Sequence, residues 1–196
     1  MTESNAPTPL APWLDAQLAQ NFGQLQAHWL LRPGALTAGL RALGALDLVV
    51  LREYTDTLSD SEAWMIQAKR DTAVWVREIY MSIDGIPCVT ARSFTRLDDS
   101  KGCWQGIRGL ANRPLADMLY HNPDITRSPF WVCALGKQDP LYNTVNQMAA
   151  HTESPIKSAQ PLLARCSTFW YQDHPLLVAE CFLPQFWSIA QRSART

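Results

Sequence analysis

Residues 73–94 read AVWVREIYMSIDGIPCVTARSF, two alternating runs of apolar and polar side chains joined at Asp84-Gly85. Asp-Gly between such runs is a strong hairpin signal, because a tight hairpin turn needs positive φ at its central residues and this pair tolerates it. Strand periodicity places Trp75, Arg77, Ile79, Met81 and Ile83 on one face, so an arginine interrupts an apolar stripe. A two-residue turn would pair Ile83 with Ile86, Met81 with Cys88 and Ile79 with Thr90. Arg77 would then lie opposite Arg92, and Trp75 opposite Phe94. Two opposed guanidinium groups repel, and a buried charge left unpaired costs about 3–5 kcal/mol, so an anion is expected there. It is either an acidic side chain of the protein or the carboxylate of a ligand, and the opposed pair favours the ligand.

A second hairpin is expected from LLARCSTFWYQ (162–172) and PLLVAECFLP (175–184), with its turn at Asp173-His174. Here Leu176, Val178, Glu180 and Phe182 share a face, and Glu180 is a carboxylate inside an apolar stripe. It serves either as a partner for Arg77, Arg92 or Arg165 or as a catalytic group. Arg77, Arg92 and Glu180 within apolar walls have the composition of a pocket for a small carboxylate.

Upstream, Leu14, Leu18, Phe22, Leu25 and Trp29 recur at helical spacing until Arg32-Pro33-Gly34 ends the run. A short helix carrying Leu36, Leu40 and Leu43 follows, then a strand over Leu46–Tyr54 and an irregular or briefly helical stretch from Asp56 to Lys69. Between the hairpins, residues 104–120 read as helical, with Pro114 opening a new helix. Ile125–Leu135 reads as a strand interrupted near Pro129. Residues 136–161 form a long polar excursion with one helix around Tyr142–Ala150, and a last helical turn covers Phe186–Arg192. Hairpin-joined strands with helices at the start and middle imply an α+β fold, an antiparallel sheet covered by helices on one side. The boundaries expected are a flexible leader over 1–12 and a single domain over 13–196.

Composition narrows the function. Hydrophobic residues make up 47% and charged residues 18% of 196, which suits a globular chain and supplies no run for a membrane span. A net charge of −1 without a basic run argues against nucleic acid as partner. The N-terminus has no signal-peptide pattern, so the expected location is the cytoplasm. Five cysteines without a CxxC pair fit neither a disulfide framework nor a zinc ribbon, and the four histidines show no ligand spacing. No metal is expected. Phosphate loops, dinucleotide fingerprints and nucleophile elbows are also missing.

The segments VREIYMSIDGIPCVTARS, NRPLADMLY and PLLVAECFLP, in this order, resemble the chorismate lyases of ubiquinone biosynthesis, with the similarity running from about Trp29 to Pro184. That resemblance implies cofactor-independent conversion of chorismate to 4-hydroxybenzoate and pyruvate, on a single α+β domain that retains the aromatic product in an internal site. It places the carboxylate-binding arginine on Arg77, the essential glutamate on Glu180, and the second arginine on Arg92. Backbone groups at Leu36 and Leu115, near helix openings, are implied as further substrate contacts. Arg77 and Glu180 are thus the expected catalytic residues, with Glu180 suited to acid catalysis or to positioning the ring. The chain departs from the family pattern at Cys88, Ala116 and Thr95-Arg96, and in the length of the 136–161 excursion. A monomer is expected. The alternative is a non-catalytic effector-binding domain of a transcription regulator; it requires a DNA-binding domain, for which residues 1–45 are neither basic nor long enough.

Overall fold

A computed structural model describes residues 13–15, 22–156 and 161–195 of the chain. The strands are β1 (Leu14–Asp15), β2 (Leu46–Thr57), β3 (Ala73–Ile83), β4 (Ile86–Arg96), β5 (Ile125–Arg127), β6 (Trp131–Ala134), β7 (Leu163–Tyr171) and β8 (His174–Phe182). The helices are α1 (Gln24–Leu30), α2 (Leu36–Arg41), α3 (Asp60–Met65), α4 (Ala116–Leu119), α5 (Pro140–His151) and α6 (Pro184–Ser193). One antiparallel sheet runs in the order β1-β6-β7-β8-β4-β3-β2, with β5 also on β7. The α+β reading therefore holds. Residues 1–12, expected as a leader, lie outside the described residues.

The central hairpin forms at Asp84-Gly85, where φ is 50° and 77°, as a tight turn between twisted strands requires. Its register departs from the simple count. Ile83 faces Ile86 and Ser82 faces Pro87, but Met81 faces Val89, which leaves Cys88 as an extra residue on β4. Pro87 has no N–H to give the ladder, and the Cys88 carbonyl accepts instead from Leu183 N–H at 2.9 Å. A one-residue bulge turns over every side chain beyond it. Arg77 therefore faces Ser93, Arg92 faces Glu78, and Trp75 faces Thr95.

Other expectations shift less. Of the long first helix, its C-terminal part forms α1 from Gln24, Leu14 and Asp15 instead form β1 and pair with Val132 and Trp131, and residues 16–21 lie outside the described residues. The strand expected over Ile125–Leu135 is two pieces on the same edge of β7, parted around Pro129, with Ser128 N–H bonded to Thr168 O at 2.9 Å. The second hairpin turns at Gln172-Asp173, one residue earlier than expected, and pairs Tyr171 with His174. The polar stretch after β2 contains α3, started by a capping box in which Ser59 and Glu62 satisfy each other's N–H groups. Asp139 and Pro140 start α5, the Asp139 side chain accepting from Leu141 N–H at 3.0 Å.

Both faces of the sheet are covered, not one. On one face, Leu141, Val145 and Met148 of α5 pack against Val74, Val76, Phe94 and Leu177. The opposite face is covered in two parts. At one end α1, α2 and α6 bring Trp29, Leu40 and Phe186 onto Met81, Val89 and Phe182. At the other, Trp104, Ile107, Leu110 and Leu119 pack onto Trp75, Phe169 and Leu176. A cavity of about 60 Å³ lies between these two parts, with room for several waters at roughly 10–15 Å³ each.

Candidate active site

Arg77 on β3 reaches this cavity and is only 2% exposed. Its Nη1 donates to Glu53 Oε1 at 2.6 Å, from the residue directly across on β2. Its Nη2 donates to the backbone carbonyls of Ala111 and Arg113, in the segment that leads to Pro114 and Leu115 of the cavity lining. A guanidinium carries five N–H donors, so donors remain for a ligand. The charge is balanced by the protein's own carboxylate while the group stays at the cavity wall.

Glu180 enters from β8, directly opposite Arg165 of β7. Arg165 Nε donates to Glu180 Oε2 at 2.6 Å, and its Nη1 donates to the carbonyls of Trp29 and Arg32 at 3.1 and 3.2 Å. Phe130 stacks on the Arg165 guanidinium, 4.4 Å from the ring centre. Glu180 Oε1 makes no hydrogen bond among the described residues, and both residues line the cavity. Arg165 entered the sequence reading only as one choice of partner for Glu180. The cross-strand register makes it a wall of the site.

Leu36 and Leu115 line the same cavity. Leu36 is the first residue of α2, whose cap, Ala35, offers no side-chain acceptor to the free N–H groups of the first turn. Leu115 immediately precedes α4, in the turn begun by Pro114. Ser93 and Ser167, on the same sheet face, add hydroxyl groups that strand alternation alone did not single out.

Arg92 is not in this site. The Cys88 bulge sends it to the other face, where it donates to Glu62 at 2.8 Å, Glu78 at 2.9 Å, the Tyr54 hydroxyl at 2.6 Å and Asp56 at 3.4 Å. Glu78, fully buried, also accepts from Arg52 at 2.6 Å and from Tyr54 at 2.9 Å. This is a structural ion network tying α3 to the sheet. Burial by itself would raise the Glu78 carboxyl, but the hydrogen bond from Arg52, the charge of Arg92 and the Tyr54 bond outweigh it and hold it below the ordinary range. A carboxyl depressed in the folded state contributes stability above its unfolded value of roughly 4.3, and loses it as pH falls through the folded value. Glu78→Gln is therefore expected to destabilise by about 3 kcal/mol at pH 7 and to show a shallower loss of stability towards pH 3. Urea unfolding between pH 3 and 7 measures both; parallel acid limbs in the two proteins would contradict the assignment.

The arrangement, then, is a partly open, mostly apolar cavity lined by Arg77, by the Arg165–Glu180 pair and by the openings of α2 and α4. A family model described as chorismate lyase matches residues 9–192. The chain belongs to the chorismate lyase family. Among its relatives, a protein named probable chorismate pyruvate-lyase from Bordetella pertussis is 49% identical over 94% of this chain and 95% of its own length. Another, probable chorismate pyruvate-lyase 1 of Pseudomonas fluorescens, is 38% identical over 90% of this chain and 91% of its own. Among solved structures, the C-terminal domain of the histidine utilization repressor from Pseudomonas syringae matches with a TM-score of 0.51 at 12% identity, covering 72% of this chain and 93% of that one. A GntR family transcriptional regulator from Bacillus cereus matches with a TM-score of 0.51 at 10% identity, covering 71% and 92%. These structures share the fold alone with this member of the chorismate lyase family. Among its described residues no helix is long and apolar enough to cross a membrane.

Proposed function

We propose that this protein converts chorismate to 4-hydroxybenzoate and pyruvate without a cofactor, the first committed step of ubiquinone biosynthesis. The observation that carries this reading is the convergence of Arg77 and the Arg165–Glu180 pair on one mostly apolar cavity. Arg77 binds the ring carboxylate, and the backbone N–H groups at Leu36 and Leu115 support the bound anion from the rim. Glu180 stands by the oxygen substituents of the ring.

The reaction breaks the ring C–O bond, with its electron pair leaving on the enolpyruvate oxygen. A ring proton departs, the ring becomes aromatic, and the enolpyruvate takes up a proton at carbon to give pyruvate. Aromatisation drives it, so the protein has to orient the substrate, exclude water and manage one proton. Engaged by Arg165 at Oε2, Glu180 is better placed to accept than to donate: Oε1 can take a hydrogen bond from the ring hydroxyl or receive the departing ring proton. That favours a base or positioning role over the acid role suggested by an apolar strand alone.

Purified protein incubated with chorismate is expected to release 4-hydroxybenzoate and pyruvate in equal amounts, read by chromatography and a coupled pyruvate assay. Tight binding of chorismate without either product would overturn the lyase reading in favour of an effector-binding domain.

A further inference from the structure

A second group of side chains converges outside the cavity, where the turn after β4 meets the start of β8. Asp99, Cys103 and His174 each direct a ligand atom into one small volume, all within 4.8 Å of one another. The backbone holds this geometry: Trp104 Nε1 donates to the His174 carbonyl at 3.1 Å, and Trp104 N–H donates to the Asp99 carbonyl at 2.9 Å. A hydrogen bond between His174 Nδ1 and Asp99 Oδ1, 2.8 Å apart, is the simplest account of the cluster. It explains one carboxylate oxygen. Asp99 is only 9% exposed, and its other oxygen, Oδ2, is buried without a hydrogen-bond partner. Buried polar atoms are nearly always satisfied, so Oδ2 calls for a donor or a cation that the described residues do not supply.

The donor types say which partner. A thiol, an imidazole and a carboxylate make a mixed S, N, O set, which suits borderline transition cations and not the oxygen-seeking calcium or magnesium. We propose that Asp99, Cys103 and His174 bind a divalent transition cation of the zinc type. Three protein donors leave one tetrahedral position to water, and the Cys103 thiol releases its proton to solvent as the ion binds. The site ties the turn after β4 to the β7–β8 turn. It takes no part in the lyase chemistry and is independent of that reading.

Cobalt(II) titration of the full chain tests it, because a cobalt–thiolate bond gives a near-ultraviolet charge-transfer band. Cys88, Cys133, Cys166 and Cys181 are buried, so a band at one equivalent reports on Cys103. One equivalent of cobalt should produce the band, zinc should displace it, Cys103→Ser should abolish it and His174→Gln should weaken binding at least tenfold. Cys103 and the His174 ring are exposed, and far-ultraviolet circular dichroism checks that both variants fold. No band at a hundredfold excess of cobalt, a band that survives Cys103→Ser, or unchanged affinity in His174→Gln would each overturn the site.

Discussion

Glu180→Gln is expected to lower kcat for chorismate by about 10²- to 10⁴-fold, the range for losing a group that handles a proton, with KM changed little. Gln keeps the size of the side chain and an oxygen for Arg165 Nε, so the β7–β8 pair and the cavity wall stay in place. What disappears is the charge, and with it the capacity of Oε1 to accept a proton. Arg165, 1% exposed, then keeps only carbonyls and a neutral amide, so a lower thermal midpoint should accompany the lost turnover. Steady-state kinetics on the folded variant, with binding of 4-hydroxybenzoate followed by fluorescence quenching, separates the two effects. A large rise in KM at unchanged kcat would mean that Glu180 holds the substrate and does not act on it.

How much of this could be read from the chain depends on where local rules stop. The hairpin at Asp84-Gly85 was legible because its turn chemistry is local, and Arg77 kept its place because β3 runs without interruption on the cavity side of the sheet. Arg92 was misplaced because a single residue, Cys88, bulges from β4. Pro87 is the local hint of that bulge, but the acceptance of Leu183 N–H by the Cys88 carbonyl comes from a segment far along the chain. Glu180 was visible as an acid in an apolar stripe. Its partner was not, because a shift of one residue in the second turn changes which β7 residue faces it, and only the observed register selects Arg165. Leu36 and Leu115 carry no chemical signal in their side chains; the resemblance supplied them, and the fold brings both to the cavity. Asp99, Cys103 and His174 show no ligand spacing in sequence because two elements distant in the chain supply them.

The register also decides what the two arginines do when removed. Arg77→Ala is expected to raise KM for chorismate by about 10- to 150-fold, since hydrogen bonds to a charged group contribute about 1.5–3 kcal/mol. Its stability cost should be modest, because the carboxylate left behind, Glu53, has a side chain 31% exposed and can rehydrate. Arg92→Ala should behave in the opposite way. It takes the guanidinium partner from Glu62, 6% exposed, and leaves fully buried Glu78 with only Arg52 and Tyr54, with an expected loss of about 3–5 kcal/mol, while the protein that remains folded binds chorismate normally. Denaturant unfolding and steady-state kinetics on both variants test this contrast. Had the hairpin lacked its bulge, the two arginines would share one site and both substitutions would raise KM. Equal KM effects would therefore refute both the register and the placement of the carboxylate at Arg77 alone.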